Sequence, residues 1–118
     1  MEKKITIGEK EYLMKSSAYT QFKYKDETGR SLLKDLMTLG KKFDGVKDQD
    51  ALENFDELND FLTTTLRIAY IMCLEAKSFA GSFEDFLMET DNYLENVDWI
   101  MEVMDLAISP LSRGIQTT

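Results

Sequence analysis

Residues 61–74 read FLTTTLRIAYIMCL, and their apolar pattern governs how the rest of the chain is organised. Apolar residues recur at helical spacing from Leu52 onward, and between residues 68 and 74 they occupy nearly every position. A helix that begins amphipathic and becomes apolar on all sides is typical of an element that others surround. We therefore predict a long central helix, capped at its start by Asp48 or Asp50.

The segment at the start of the chain predicts a β-hairpin over residues 1–15. Ile5 and Ile7 alternate with polar residues, Gly8 supplies a turn, and strand-forming residues resume at Tyr12. A lone hairpin is only marginally stable, so its apolar side must lie on helices or extend another sheet. Because a two-stranded ribbon also has unpaired edges, we expect Ile5, Ile7 and Tyr12 to contribute to self-association.

Two helices are predicted between the hairpin and the long helix. Ser16 or Ser17 caps a short, tyrosine-rich helix that runs from residue 18 to about residue 26. Ser31 caps a second helix, whose apolar residues keep an i, i+3/i+4 spacing, and residues 43–45 are the expected exit.

Two more helices are predicted after the long helix, which Gly81 ends at the latest. Ser82 lies three residues before Asp85, a spacing close to that of a capping box. The last helix begins after Asp91-Asn92 or with Asn96 as its cap, and Pro110 is expected to stop it because proline lacks the N–H that a helix interior needs.

These elements define a mainly α fold: an N-terminal β-hairpin followed by four to five helices packed round a long central helix. A chain of 118 residues is long enough to bury one core without disulfides or metal. We expect a single domain over residues 1–111, with the hairpin at residues 1–15, and a flexible C-terminal tail over residues 112–118.

Charge is divided along the chain. Through Lys47 there are eleven lysines and arginines against seven acidic residues, a net of +4; from Asp48 onward there are three against fifteen, a net of −12. Such an asymmetry indicates partners rather than a fold. Either the two halves dock on each other, or the basic part of one copy meets the acidic part of the next. The second arrangement builds a ring or a helical filament.

The residue inventory argues against most enzyme classes. The chain has no histidine, which removes the usual imidazole acid/base and most zinc sites, and it has no phosphate-binding loop. The only cysteine, Cys73, lies in the most apolar stretch and is expected to be a buried, unreactive side chain. Glu75 is the one candidate for acid/base chemistry, and we expect it to pair with Lys77 or a hairpin lysine instead. We predict no catalytic, cofactor or metal site.

The composition also limits the partners. Overall acidity, with a net charge of −8, argues against nucleic acid. No apolar run is long enough for a membrane span and no secretory signal is present, so a soluble, intracellular protein is expected. The last helix carries Asp98, Glu102 and Asp105 at i, i+4, i+7, a spacing that suits a hard cation but is more typical of a solvated face.

The last helix also supplies the candidate partner-binding residues: Trp99, Met101 and Met104. Methionines adapt to the shape of a bound helix, although more often they fill cores. Trp99 is either the anchor of the core or a contact hot spot, and the sequence leaves both interpretations open.

The order of these segments resembles a known family. ITIGEKEYLMK at residues 5–15, GRSLLKDL at 29–36, AKSF at 76–79, SFEDFL at 82–87 and WIMEVMDLA at 99–107 resemble the tail assembly chaperones of long-tailed, siphovirus-type bacteriophages and prophages. Glu9-Lys10 stands where that family often has a single Gly-Lys turn.

The resemblance implies a small, non-enzymatic protein of the host cell cytoplasm that self-associates into a ring or spiral. It further implies binding to the tape measure protein during tail tube assembly, and a longer form of the chain produced by ribosomal frameshifting. The alternative is a small helical adaptor or regulatory module that binds a single protein target.

Overall fold

The computed structural model describes residues 1–46 and 55–116 of the chain. A two-stranded antiparallel hairpin is followed by five helices in this part of the chain. The elements are β1 (Glu2–Ile7), β2 (Lys10–Lys15), α1 (Ala18–Thr28), α2 (Leu32–Val46), α3 (Phe55–Glu75), α4 (Phe83–Glu89) and α5 (Asp98–Gln116). The mainly α class and the N-terminal hairpin are therefore confirmed, while the central position of the long helix stays a prediction.

The hairpin is closed by a two-residue loop between Ile7 and Lys10, which face each other in the register. Gly8 has a φ of 65°, which only glycine adopts readily, and a side chain there would meet the Cβ of Asn92 at 2.7 Å. The turn therefore requires glycine twice, once for its backbone conformation and once for the close approach of the segment before α5.

Serine hydroxyls cap three of the described helices as the sequence predicts: the Ser31 hydroxyl accepts from the N–H of Lys34 at 3.3 Å in α2, and α1 and α4 begin with capping boxes. The Ser17 hydroxyl accepts from the backbone N–H of Tyr19, and the Thr20 hydroxyl accepts from the backbone N–H of Ser17. Ser82 and Asp85 form the reciprocal capping box at the start of α4. All three caps satisfy backbone N–H groups that a first helical turn leaves unpaired.

The end of α2 differs from the prediction, whereas the end of α3, which lies before Gly81, agrees with it. α2 continues through Gly45 to Val46, so the exit expected at residues 43–45 is wrong. α3 ends at Glu75, where Lys77 takes a left-handed φ of 59° and the N–H of Ser78 bonds to the carbonyl of Cys73. This arrangement is a Schellman motif with lysine where glycine is usual. The caps predicted at Asp48 and Asp50 lie outside the described residues.

The most unexpected feature is that α5 passes through Pro110 and continues to Gln116. Pro110 has no N–H to donate to the carbonyl of Leu106 four residues earlier. That carbonyl instead accepts from the hydroxyl of Ser16 at 2.6 Å and from that of Ser109 at 2.8 Å. The prediction that Pro110 stops the helix is wrong because two serine hydroxyls replace the missing donor.

The core lies between the inner face of the hairpin and the helices. α3, which is 21 residues long, packs against β2, α1, α2, α4 and α5. Every side chain from Ile68 to Cys73 is buried, as the continuous apolar run predicts. The hairpin contributes four buried side chains: Ile5, Ile7, Tyr12 and Met14.

Candidate protein-interaction surfaces

The inner face of the hairpin is occupied by the chain's own core. Ile5, Ile7 and Tyr12 are at most 2% exposed, and the Tyr12 ring lies 5.5 Å from that of Phe86 on α4. β1 packs against α5 and β2 against α3. The expectation that these three side chains meet a neighbouring copy is therefore corrected, because α3, α4 and α5 already cover the apolar side on which it depended.

Trp99 belongs to the core. Its side chain is fully buried and its indole N–H donates to the carbonyl of Tyr93 at 2.8 Å. Met104 is 8% exposed, whereas Met101 is 40% exposed. Of the three candidate partner-binding residues, only Met101 is open to contact; Trp99 and Met104 face inward with the rest of the core.

Two other apolar residues share the open side of Met101. Val97, whose carbonyl accepts the first bond of the helix from Ile100, is 49% exposed, and Ile108 is 37% exposed. Spacings of four and seven residues place Val97, Met101 and Ile108 on one side of α5. We call these three residues the α5 stripe. The sequence indicates this stripe through the width of the apolar face of α5, which is wider than packing against the core requires.

Acidic residues lie next to the α5 stripe, since Asp98 is three residues before Met101 and Asp105 is four residues after it. Asp98 and Asp105 are exposed, and Glu102 forms an ion pair with Lys3 of β1 at 3.1 Å. The described residues contain no group of three or more side chains that is suited to hold a metal ion.

Large apolar side chains are also exposed elsewhere. Phe22 on α1 is 78% exposed, and Met88 on α4 is 73% exposed. Among the side chains whose burial the structure describes, the others above half exposure are Met1, Tyr19, Met37 and Leu94. Single exposed apolar side chains are normal on proteins, so these residues indicate an interaction surface only where several lie on one side of an element.

An open cleft of about 440 Å³ lies among α1, α2 and α3. At its wall Asp35 is 6% exposed and accepts a bidentate bond from Arg30, with both distances at 2.9 Å, and a bond from the Tyr24 hydroxyl at 2.5 Å. The Arg30 guanidinium holds the pKa of Asp35 below its usual value, and burial raises the pKa of Tyr24. This cluster ties α1 to α2 and keeps the carboxylate charged.

The remaining reactive candidates are also held in structural roles. Glu75 accepts from the hydroxyls of Ser17 at 2.9 Å and Thr20 at 2.8 Å, so the expected lysine partner is replaced by the N-terminal turn of α1. Cys73 is fully buried, and burial raises the pKa of its thiol to about 12. A thiol with that pKa is protonated at neutral pH and is a poor nucleophile.

No protein-family model, curated protein or solved structure matches this chain. Within residues 1–46 and 55–116, none of the helices combines the length and apolar character that crossing a bilayer requires.

Proposed function

We propose that the chain is a tail assembly chaperone of a long-tailed bacteriophage or prophage. In this proposal it is not an enzyme, and it works in the host cell cytoplasm. It self-associates, includes a frameshift-extended form of itself in the assembly, and binds the tape measure protein while the tail tube forms. The observation that carries the proposal is the α5 stripe, an apolar surface left open beside a row of acids.

The α5 stripe has the form of a helix-binding surface. An amphipathic helix docks through apolar anchors at i, i+4 and i+7, and Val97, Met101 and Ile108 offer apolar contacts at matching intervals. Methionine in the middle suits such a contact, because its flexible side chain adapts to the surface that it meets. Long helical segments, which we expect in a tape measure protein, present faces of this kind.

The charges beside the stripe favour a basic partner. Asp98 and Asp105 are exposed on the same helix, and the residues from Asp48 onward carry a net charge of −12. A segment that bears lysine or arginine next to its apolar face is therefore drawn to this surface. Complementary charge of this kind raises the association rate more than it tightens the complex.

The alternative function, a helical adaptor for a single target, uses the same surface. The two functions differ in stoichiometry, because an adaptor forms a complex of fixed composition, whereas an assembly chaperone also adds copies of itself. The charge division of +4 and −12 along the sequence favours the chaperone, since the basic part of one copy can meet the acidic part of the next.

The test is co-expression with the tape measure protein encoded beside this chain's gene, followed by affinity measurement on the purified pair. We expect Met101→Asp to weaken binding at least tenfold, because it puts a charge in the centre of the α5 stripe. The matched control is Met88→Asp, at a methionine on α4 that is more exposed than Met101 and lies outside the α5 stripe, and this variant should bind as the unchanged chain does. Absence of binding by the unchanged chain, or equal losses in both variants, contradicts the proposal.

A further inference from the structure

The two edges of the hairpin follow from its hydrogen-bond register. The N–H of Ser16 bonds to the Met1 carbonyl at 2.8 Å, and the amino nitrogen of Met1 bonds to the Ser16 carbonyl at 2.9 Å. In an antiparallel pair, bonded and non-bonded positions alternate along each strand. Lys3, Ile5 and Ile7 therefore face β2, while the backbone N–H and C=O groups of Glu2, Lys4 and Thr6 point away from it.

These two edges are not equivalent. On the outer edge of β2, the Leu13 carbonyl accepts from the Ser78 hydroxyl at 2.5 Å, in the segment that follows α3. On the outer edge of β1, no hydrogen bond reaches the backbone of Glu2, Lys4 or Thr6 from any other group in the described ranges. All three residues are exposed. An open row of donors and acceptors on an edge strand is a template for another strand.

We propose that the outer edge of β1 pairs antiparallel with the same edge of a second copy, which gives a four-stranded sheet across a two-fold axis. The inference rests on the self-association part of the proposed function. The proposed contact is the edge of the hairpin, because the apolar face of the hairpin is buried in the chain's own core. The contact is isologous, so each copy contributes the same residues.

The register follows from charge. Residues whose backbone groups point away from β2 pair with the same kind of residue in the second copy. A two-fold axis at Lys3 therefore places Glu2 of each copy opposite Lys4 of the other. An axis at Lys4 would instead oppose two lysines, which is destabilising for directly facing side chains. The chosen axis also places the two Lys3 residues opposite each other, but their side chains lie on the other face of the sheet, where each forms an ion pair with Glu102 of its own chain at 3.1 Å.

A second copy is the occupant that this edge selects. The sequence Glu-Lys-Lys at residues 2–4 is complementary to itself in the antiparallel direction about its middle residue. Charged side chains commonly protect an edge strand from pairing with other strands. Here they permit pairing with an identical strand, and they still oppose pairing with an unrelated, uncharged strand.

The experiment uses two charge-reversal variants of the full chain, Glu2→Lys and Lys4→Glu, in sedimentation velocity at low salt. In each variant alone, both opposite-charge pairs become like-charge pairs, and we expect the dimer dissociation constant to rise about tenfold. In an equimolar mixture of the two variants, every introduced charge meets an opposite one. We expect the mixture to dimerise as tightly as the unchanged chain.

Proline substitutions on the two edges of the hairpin form the second part of the experiment. Lys4→Pro removes an outward N–H without taking a bond from the hairpin, and should weaken the dimer at least tenfold with an unchanged melting temperature. Glu11→Pro removes the matching outward N–H from β2 and should leave the dimer intact. A chain that stays monomeric at millimolar concentration overturns the inference, and so does a dimer that responds to none of these changes. Larger assemblies that persist in all the variants would overturn the edge contact and leave the proposed function standing.

Discussion

Trp99 is held in the core both by its ring and by its indole N–H. Because the side chain is fully buried and donates to the Tyr93 carbonyl, Trp99→Ala leaves a large cavity and an unpaired carbonyl. We expect the free energy of unfolding to fall by about 3–5 kcal/mol in urea denaturation. Met101→Ala, two residues along the same helix but 40% exposed, should change it by less than about 1 kcal/mol. A small effect of Trp99→Ala would place Trp99 outside the core.

Tyr12 carries a hydroxyl that has no hydrogen-bond partner among the described residues. Burial, with the Cys73 thiol nearby, raises the pKa of Tyr12 to about 12, so the group is neutral. Removing a buried polar group that lacks a partner also removes its desolvation cost. We expect Tyr12→Phe to unfold at the same free energy or at one higher by up to about 1 kcal/mol.

The matched control for Tyr12 is Tyr24→Phe. The Tyr24 hydroxyl donates to the charged Asp35 carboxylate at 2.5 Å, so its loss should cost about 1.5–3 kcal/mol of unfolding free energy. Both variants remove one oxygen from a buried tyrosine, and only the partner of that oxygen differs. If Tyr12→Phe destabilised the chain as much as Tyr24→Phe, the Tyr12 hydroxyl would have to be bonded in solution.

At the scale of elements, the segment that follows β2 is bonded to α5 at the carbonyl of Leu106. Ser16 is fully buried and supplies a donor to the Leu106 carbonyl, which Pro110 leaves without its helical N–H. We expect Ser16→Ala to cost about 1–3 kcal/mol of unfolding free energy. In a Pro110→Ala background, an N–H returns to that carbonyl, and the same substitution should cost clearly less.

A double-mutant cycle over Ser16 and Pro110 measures this coupling directly. The four proteins need only equilibrium urea curves at one temperature. Additive effects of the two substitutions would contradict the account of how α5 passes through Pro110.

How far the sequence leads depends on whether a signal is local. The capping box of Ser82 and Asp85 and the glycine turn at Gly8 were predictable, because a few neighbouring residues determine each one. The continuation of α5 was not predictable, because one of the two hydroxyls that permit it comes from Ser16, 90 residues away in sequence. Contacts between residues that lie far apart in sequence produce no periodic pattern from which they could be predicted.

The candidate surfaces show the same division. Strand alternation identified Ile5 and Ile7 as the residues of one face, but alternation is identical whether that face covers its own core or a neighbour's. Similarly, helical spacing grouped Met101 with Met104 without showing that the edge of the buried face falls between them. Which side of an apolar surface stays open is decided by the packing of whole elements.

For the molecule as a whole, we propose self-association in which the basic part of one copy meets the acidic part of the next. The +4 and −12 parts act through exposed charge, and the screening length falls from about 10 Å at 0.1 M salt to about 3 Å at 1 M. Assemblies held in part by these charges should therefore become smaller as salt is added.

Light scattering across a range of protein concentrations, at 0.1 M and at 1 M salt, tests this claim most directly. We expect the mass at 0.1 M salt to rise with concentration from the 13.6 kDa of one chain to several multiples of it, and to decrease at 1 M salt. A mass that stays at 13.6 kDa at every concentration would contradict self-association and favour the single-target adaptor.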